Sequence, residues 1–350
     1  MANEPIASLP LVQIELRQPY VIYVGDVKEI AYAKTGLGLV EWRKEMCFGQ
    51  LRHDEGCTDL GIRDVTIAEA AEASVGSIII GVAPSGGRLS ESWLNDLTEA
   101  ATLGIDIVSG MHEKLSAFPG LVSAAKKSGA RLIDIRTPPT SLPIGTGIKR
   151  RGKRLLTVGT DCAVGKKYTA LALEKEMHAR NMSADFRATG QTGIMIAGQG
   201  IPIDSVVSDF ISGAAEVISP DASSDDHWDL IEGQGALTNP SYAGVSLGLL
   251  HGSQPDALVL CHDPHRKYHL GSTTYGLVSI AEAIDTNLIM ARRVNPSARF
   301  VGVAINSSAM TKDERTSFFQ QCSDETGLPV VDPLLTGTGP IVDHILSQSW

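Results

Sequence analysis

The chain has 350 residues, of which 43% are hydrophobic and 20% are charged, and it carries a formal net charge of −10. This length and composition are typical of a globular protein with two domains. The negative charge, without a long basic tract, argues against DNA or RNA as a partner. The five cysteines contain no CxxC pair, so we expect neither a disulfide framework nor a metal site.

The sequence also argues against secretion and membrane insertion. The N-terminal residues lack the basic-then-apolar order of a signal peptide. The apolar run at 77–82 is far too short to cross a bilayer. We therefore predict a cytoplasmic protein with reduced cysteines and no membrane partner.

The first half of the chain predicts strands that alternate with helices. Short apolar or β-branched runs predict four strands, at 20–24, 77–81, 105–109 and 131–135. Helices are expected between them, at 66–73, 91–101 and 121–128, with Ser90 as a cap. This alternation is typical of a parallel sheet covered by helices on both faces. We predict a Rossmann-like N-terminal domain.

Two segments of this half contain both glycines, which allow a flexible backbone, and positively charged side chains. Residues 32–42 read YAKTGLGLVEW and are followed by Arg43, and residues 81–88 read GVAPSGGR. We expect one of them to form a loop that binds the carboxylates of a small anionic molecule, with Lys34 or Arg43 as the cation. The alternative is a packed domain used for assembly, and we expect a homo-oligomer.

A linker separates the two halves. Residues 137–148 are dominated by proline, glycine and threonine, which is typical of a domain boundary. We place the boundary near residue 145, giving domains 1–145 and 146–350. The second half predicts a helix at 166–181 and five or more strands, at 155–158, 184–188, 228–232, 257–261 and 300–305.

A modified phosphate-binding loop opens the second domain. The segment LLTVGTDCAVGKKYTALAL places a strand, a glycine-containing loop, a lysine and a helix in the order that a P-loop requires. Backbone N–H groups, the lysine and the helix N-terminus together neutralise a phosphate. We therefore predict a P-loop NTPase-like parallel sheet domain. The predicted cofactor-binding residues are Gly159, Thr160, Asp161, Cys162, Ala163, Val164, Gly165, Lys166, Lys167 and Tyr168.

This loop departs from the usual pattern at two positions. Gly159 lies one residue earlier than the standard spacing, and Lys167 stands where a magnesium-binding hydroxyl is expected. Thr169 lies two positions further on, and on a helix it would point away from the phosphates. Losing the metal ligand and gaining a positive charge favours a phosphate group bound without Mg²⁺, as in coenzyme A. ATP with Mg²⁺ is the alternative, since a metal ligand can come from elsewhere.

Acidic and histidine side chains follow several of the predicted strands. Glu232 ends the strand at 228–232, where it could orient a metal or act as a general base. His262 follows the strand at 257–261 as a candidate acid or base, while Asp209 is an acid candidate or a helix cap. Cys162 is either a nucleophile activated by the helix N-terminus or a packing residue.

Polar residues after two strands complete the candidate site. Residues 188–194 read ATGQTGI directly after a strand, so Gln191 and Thr192 are expected at the carboxyl edge of the sheet, where ligands bind in open α/β folds. Asn306 follows another strand and either contacts a nucleotide base or forms a turn.

Four motifs in a fixed order resemble one family. They are GTDCAVGKKYTALAL, ATGQTGIMI, VVSDFISGAAE and DLIEGQGAL, and they resemble a P-loop family, formerly of unknown function, that includes the D-glutamate N-acetyltransferases. The resemblance covers nearly the whole chain. The loop alone also resembles that of dethiobiotin synthetase, where a hydroxyl residue stands at the position of Lys167.

The resemblance implies an acetyl transfer from acetyl-CoA to the amine of D-glutamate, in D-amino-acid catabolism. It also implies a pathway epimerase that acts on the product. The rival function from the same fold is an ATP- and Mg²⁺-dependent kinase or ligase of a small carboxylate. For acetyl transfer, we expect Glu232 as the base with His262 or Asp209 as substitutes. Lys167 would bind phosphate or stabilise the oxyanion, and Lys34, Arg43, Gln191 and Thr192 would bind the substrate.

Overall fold

The computed structural model describes residues 16–83 and 88–350, which form two compact units. The N-terminal unit comprises 16–83, 88–138 and 191–202, and the P-loop unit comprises 139–190 and 203–350. The predicted division at residue 145 did not anticipate that 191–202 packs with the N-terminal unit. Part of the predicted glycine segment at 81–88, residues 84–87, lies outside the described residues.

The N-terminal unit is built on a parallel sheet of five strands with the order β2-β1-β3-β4-β5. Its strands are β1 (Tyr20–Gly25), β2 (Cys47–Arg52), β3 (Ser77–Ile80), β4 (Asp106–Ser109) and β5 (Leu132–Asp134). Its helices are α1 (Lys34–Arg43), α2 (Ile67–Glu72), α3 (Glu91–Thr102) and α4 (Pro119–Ser128), together with a helix later in the chain, α6 (Gln191–Ala197).

Local signals explain where these elements begin. Thr66 and Glu69 form a reciprocal capping box at the start of α2, and the Ser90 hydroxyl accepts the Trp93 N–H at the start of α3. The predicted strands are apolar because helices cover both faces of a parallel sheet; every residue of β1, β3 and β4 is buried. The strand β2 was not predicted, since its sequence, CFGQLR, is mixed in polarity.

The glycine segment at 32–42 is helical, which corrects the expected binding loop. Residues Lys34–Arg43 form α1. A Cβ atom at Gly36 would lie 2.8 Å from a Leu60 methyl carbon and 3.2 Å from the Gly81 carbonyl oxygen. The Gly36 N–H donates to that same carbonyl at 2.7 Å. Gly36 therefore lets the helix approach the end of β3 closely.

The P-loop unit contains a second parallel sheet, of six strands, with the order β11-β10-β9-β6-β8-β7. Its strands are β6 (Lys153–Gly159), β7 (Ala184–Arg187), β8 (Trp228–Ile231), β9 (Ala257–His262), β10 (Arg299–Ile305) and β11 (Val330–Val331). The helices of this half of the chain are α5 (Lys166–Ala179), α6 (Gln191–Ala197), α7 (Ile211–Ile218), α8 (Ala243–Ser253), α9 (Ile280–Ala291), α10 (Lys312–Thr326) and α11 (Gly339–Leu346).

The strand order places β6 at a reversal of the chain path. From β6 the chain first builds β7 and β8 on one side and then β9, β10 and β11 on the other. Ligands of open α/β sheets bind beyond the carboxyl ends of the strands at such a reversal. The carboxyl end of β6 is Gly159, the first residue of the predicted phosphate loop.

The strands beside β6 are tightly packed. The cluster formed by Leu155, Leu230, Val259 and Val301 is almost fully buried. At Gly233, just beyond β8, a Cβ atom would lie 1.6 Å from the Thr157 carbonyl oxygen. The Gly233 N–H donates to the Thr157 hydroxyl at 3.0 Å. This contact fixes the end of β8 against β6.

Across residues 16–83 and 88–350, the structure contains no helix that is both long enough and apolar enough to cross a membrane.

Candidate phosphate-binding and catalytic site

The phosphate loop joins β6 to α5, and two of its residues have a left-handed backbone conformation. Ala163 has a φ of 53°, and Gly165, which precedes α5, has a φ of 102°. A Cβ atom at Gly165 would meet nothing within 4 Å, so glycine is required there for its backbone rather than for space. At Gly159, by contrast, a Cβ atom would lie 2.8 Å from the Val164 side chain.

Lys166 points back into the loop that precedes it. Its ammonium donates to the Asp161 carbonyl oxygen at 2.7 Å, and the residue is 6% exposed. Burial lowers the pKa of this ammonium below its ordinary value, although neighbouring acidic groups oppose the shift. A phosphate at the loop would offset that desolvation. The loop, the buried lysine and the helix N-terminus fit a pyrophosphate group.

The hydroxyl nearest to the usual metal-ligand position is directed elsewhere. Thr169 is buried, its hydroxyl donates to the Gly165 carbonyl at 3.1 Å, and it accepts the Cys261 thiol at 3.3 Å. The orientation expected for Thr169 is confirmed. At the metal-ligand position itself, the Lys167 ammonium lies 4.4 Å from the centre of the Tyr168 ring. Tyr168 and Lys167 both belong to the first turn of α5.

Asp161 is a buried anchor for the phosphate loop. Its carboxylate accepts hydrogen bonds from Arg266 at 2.9 Å, His269 at 3.0 Å, Asn239 at 2.8 Å and the Leu270 N–H at 2.6 Å. Burial favours the neutral acid, but the hydrogen bonds led by those from His269 and Asn239 hold the pKa of Asp161 well below its usual range. The Asp161 side chain therefore orients the loop.

The contribution of Arg266 was not predicted for the phosphate loop. Besides Asp161, its guanidinium donates to the Cys162 carbonyl at 2.5 Å and to the Ala163 carbonyl at 3.4 Å. Arg266 lies shortly after β9 in the sequence. Its contact with a loop about a hundred residues earlier depends on the pairing of β9 with β6.

His262 and Cys162 are both poorly suited to the activated roles considered for them. The His262 Nδ1 atom lies 2.9 Å from the Thr160 hydroxyl, and burial lowers the pKa of His262 to about 4. Its imidazole is therefore neutral and weakly basic at neutral pH. Burial raises the pKa of the Cys162 thiol, although the nearby Lys166 charge opposes the shift. This favours the packing role.

Glu232 follows β8 directly, beside the phosphate loop. Its Oε2 atom accepts the N–H groups of Thr189 and Gly190, both at 3.0 Å. Its other oxygen, Oε1, would lie 3.1 Å from a Cβ atom at Gly190, so glycine leaves room beside it. Burial raises the pKa of Glu232, although the Lys167 charge and the two backbone hydrogen bonds oppose the shift. The result is a fixed carboxyl with increased basicity.

Two other predicted residues are placed differently. Asp209 is exposed on the short turn Ser208–Phe210, which precedes α7. The Asn306 carboxamide oxygen accepts the Ser308 hydroxyl at 2.8 Å, which is the turn-forming alternative. Asn306 nevertheless remains next to the site edge, because its N–H donates to the His262 carbonyl at 2.9 Å.

Three of the four predicted substrate residues lie together in the N-terminal unit. The Thr192 hydroxyl lies 2.9 Å from that of Thr35, which follows Lys34 at the start of α1. Gln191 packs against Gly110, just beyond the carboxyl end of β4. Its Oε1 atom is buried and accepts no hydrogen bond from the described residues. These contacts place Lys34, Gln191 and Thr192 at the carboxyl edge of this sheet.

Arg43 lies at the opposite end of α1. The helix has ten residues, so its two ends are about 15 Å apart, too far for Lys34 and Arg43 to hold one small substrate together. Arg43 donates to the Ile196 carbonyl at 2.9 Å. It lines a cavity of about 930 Å³ at the amino edge of the sheet, where Arg17 and Arg131 also lie. Both of those arginines pair with the buried Asp106.

One acidic cluster in the P-loop unit has the residue types of a metal site. Asp185, His227 and Asp229 bring their potential ligand atoms within 4.8 Å of one another. Arg187 lies between the two carboxylates, 2.6 Å from Asp229 and 3.0 Å from Asp185. Arg187 pairs with both carboxylates, so the cluster is a salt-bridge network within the sheet.

The fold and this loop define an α/β protein with a Rossmann-like N-terminal domain and a P-loop C-terminal domain. Residues 52–138 match a Rossmann-like domain and residues 143–342 a P-loop domain, both described as domains of unknown function, DUF1611_N and DUF1611_C. The chain therefore belongs to the DUF1611 family, and the resemblance found in its motifs is confirmed.

Relatives and a solved structure match nearly the whole chain. It is 46% identical to a D-glutamate N-acetyltransferase of Pseudoalteromonas sp., over 95% of this chain and 100% of the relative. It is 43% identical to one of Tritonibacter scottomollicae, over 94% of this chain and 99% of the relative. A DUF1611 family protein from Anabaena variabilis is 28% identical, covers 95% of this chain and 100% of its own, and has a TM-score of 0.87. The predicted fold class is confirmed.

Proposed function

We propose that the protein is a D-glutamate N-acetyltransferase that uses acetyl-CoA as the acetyl donor. The observation that carries this proposal is the near-full-length identity, 46% and 43%, to two relatives with that name. The geometry supports it, since a complete phosphate loop has Lys167 in place of the magnesium-binding hydroxyl and Thr169 turned into the core. Such a loop suits the pyrophosphate of coenzyme A better than a metal-bridged triphosphate.

The donor supplies an acetyl thioester, and different residues of the P-loop unit bind its phosphates and stabilise the charge that develops during the reaction. Lys166 and the loop N–H groups hold the phosphates, with Asp161 and Arg266 keeping the loop in shape. Lys167 joins the phosphates or stabilises the oxyanion that develops on the thioester carbonyl.

Glu232 acts as the general base. The substrate ammonium transfers one proton to this carboxylate, and the amine nitrogen then bonds to the acetyl carbon. The carbon–sulfur bond breaks while the nitrogen gives up its second proton to the leaving sulfur, which departs as the thiol. A raised pKa makes the carboxylate a better proton acceptor than an ordinary glutamate. His262, with a pKa of about 4, is a weaker candidate, and Asp209 is exposed on another turn.

Lys34, Gln191 and Thr192 bind the amino acid. Lys34 offers an exposed cation for a carboxylate. The buried Gln191 Oε1 atom lacks a donor among the described residues, and an orphaned buried acceptor costs about 1–3 kcal/mol. An ammonium or amide N–H of the substrate would satisfy it.

One experiment separates acetyl transfer from its rival, ATP-dependent kinase or ligase chemistry. The protein is titrated by calorimetry with acetyl-CoA and with ATP–Mg²⁺, and each mixture is then incubated with D-glutamate and L-glutamate. We expect acetyl-CoA binding and N-acetylated product from D-glutamate. Tight ATP–Mg²⁺ binding without acetyl-CoA binding would overturn the proposal.

We further propose that the protein works in the cytoplasm as a homo-oligomer and that an epimerase consumes its N-acetylated product. The resemblance described above supports the epimerase. The five cysteines without a disulfide pattern fit the cytoplasm, and the alternative use of the N-terminal domain in assembly supports self-association. Light scattering of the purified protein tests self-association, and a monomer at micromolar concentration would contradict it. Conversion of the acetylated product by a separate epimerase tests the pathway role.

A further inference from the structure

A second cavity in the P-loop unit adjoins the phosphate loop. It has a volume of about 490 Å³ and lies between the segment that follows β9 and one face of α10. Leu277, Ile280 and Phe318 contribute apolar wall, and Gln321 and Glu325 contribute polar wall. Phe318, Gln321 and Glu325 are spaced three and four residues apart, so they share one helical face.

Two residues that line the cavity also contact the phosphate loop. His262 and Arg266 line the cavity. The same His262 lies 2.9 Å from the Thr160 hydroxyl, and the same Arg266 donates to Asp161 and to the Cys162 carbonyl. These two side chains therefore connect the cavity to the loop that would hold the phosphates.

The chemistry of the walls suits a planar nitrogen base. Apolar side chains with an aromatic ring provide a stacking surface. The Gln321 amide donates to Glu325 at 2.9 Å, so this pair presents its remaining carbonyl and carboxylate oxygens as acceptors for an exocyclic amine. Burial keeps the His262 imidazole neutral, with a pKa of about 4, and the exposed Lys267 adds a positive charge at the rim.

We propose that this cavity binds the adenine nucleotide end of the acetyl donor. The inference rests on the proposed function and deepens it. The sheet order β10-β9-β6-β8 places the cavity on one side of the phosphate loop and Glu232 on the other. Strands about 4.8 Å apart make the span from β10 to β8 roughly 14 Å, which an extended donor covers. The reacting thioester then lies on the Glu232 side.

The test uses adenosine 3′,5′-bisphosphate, which is the nucleotide end alone. Its binding is measured by calorimetry to wild type, to Phe318→Ala and to the matched control Phe319→Ala, a neighbouring phenylalanine on α10 that does not line the cavity. An aromatic ring that stacks on a base contributes to nucleotide binding, so we expect Phe318→Ala to weaken binding roughly tenfold and the control to match wild type. The exposed Gln321→Ala serves as a second variant if Phe318→Ala unfolds.

A kinetic comparison adds an independent measurement. The preference for acetyl-CoA over acetyl-pantetheine, as a ratio of kcat/KM values, should fall by a similar factor in Phe318→Ala. An equal loss with both donors would place the pantetheine arm in the cavity and overturn the inference, as would undiminished bisphosphate binding by both cavity variants. If wild type binds the bisphosphate but transfers no acetyl group, the proposed function fails and a nucleotide site remains.

Discussion

Lys167 is the residue that most sharply separates this phosphate loop from a magnesium-dependent one. The hydroxyl that could have replaced the missing metal ligand, that of Thr169, is satisfied by the Gly165 carbonyl and by Cys261. Nearby positive charge comes from Lys166, Lys167 and Arg266 within a chain of net charge −10. Attraction of the proposed anionic donor would therefore be a local property of the loop, not of the whole surface.

Glu232→Gln tests the general base. We expect turnover to fall roughly 10²–10⁴-fold, since this is the usual contribution of a general base, with little change in acetyl-CoA affinity measured by calorimetry. In wild type the base must be ionised and its pKa is raised. Turnover should therefore be lost as pH falls through a value above the ordinary range of a glutamate.

The matched control for this variant is Glu216→Gln. Glu216 is also buried in the P-loop unit, and its carboxylate also accepts two backbone N–H groups, those of Thr146 and Gly147. Both substitutions should lower the melting temperature, but only Glu232→Gln should lower kcat relative to the folded fraction. Equal effects on kcat would assign Glu232 a purely structural role.

The elements that could be predicted from the sequence are those whose signal lies within one short run of consecutive residues. Parallel strands buried on both faces appear as apolar runs, and the phosphate loop lies within one short stretch between a strand and a helix. The helix α1 was missed because Gly36 and Gly38 disfavour a helix locally, while close packing against β3 requires a small residue. Contacts such as that of Arg266 with Asp161 depend on the pairing of strands far apart in the chain. The local sequence pattern carries no information about that pairing.

Gly233→Ala tests how tightly β8 must lie against β6. A Cβ atom there would lie 1.6 Å from the Thr157 carbonyl oxygen, which belongs to the backbone and cannot rotate away. Overpacking usually costs about 1–3 kcal/mol, so we expect a loss at or above the top of this range in urea unfolding. Gly244→Ala is the control, because a Cβ atom there meets nothing within 4 Å. It should change stability by less than about 1 kcal/mol, and equal losses would contradict the packing argument.

For the whole molecule, the division of the chain into two units was less predictable than either sheet. The linker composition indicated a boundary close to where the P-loop unit begins, at residue 139. Nothing in the local pattern of 191–202 indicated that it packs with the N-terminal unit, because that depends on the Thr192 contact with Thr35 and the Arg43 contact with Ile196. Gln191 and Thr192 thus join Lys34, although they follow a strand of the other sheet.

This division predicts that donor and acceptor protect different units from hydrogen exchange. Coenzyme A alone should slow amide exchange at 159–170 and 262–280, because its phosphates and base are assigned to the P-loop unit. D-glutamate alone should slow exchange at the start of α1 and in α6, where its proposed binding residues lie. Mass spectrometry of peptic fragments resolves these segments, and α4 serves as an internal reference because no ligand contact is assigned to it.

The variant Lys166→Ala tests whether the phosphate loop is responsible for the protection given by coenzyme A. The variant removes the ammonium that lies inside the phosphate loop, so it should abolish the protection given by coenzyme A and keep the protection given by D-glutamate. A different result is expected if phosphates bind instead at the arginine-lined cavity of the N-terminal unit. Coenzyme A would then protect the segments around Arg17, Arg43 and Arg131, and Lys166→Ala would leave that protection intact. This result would show that the phosphate loop does not bind the donor.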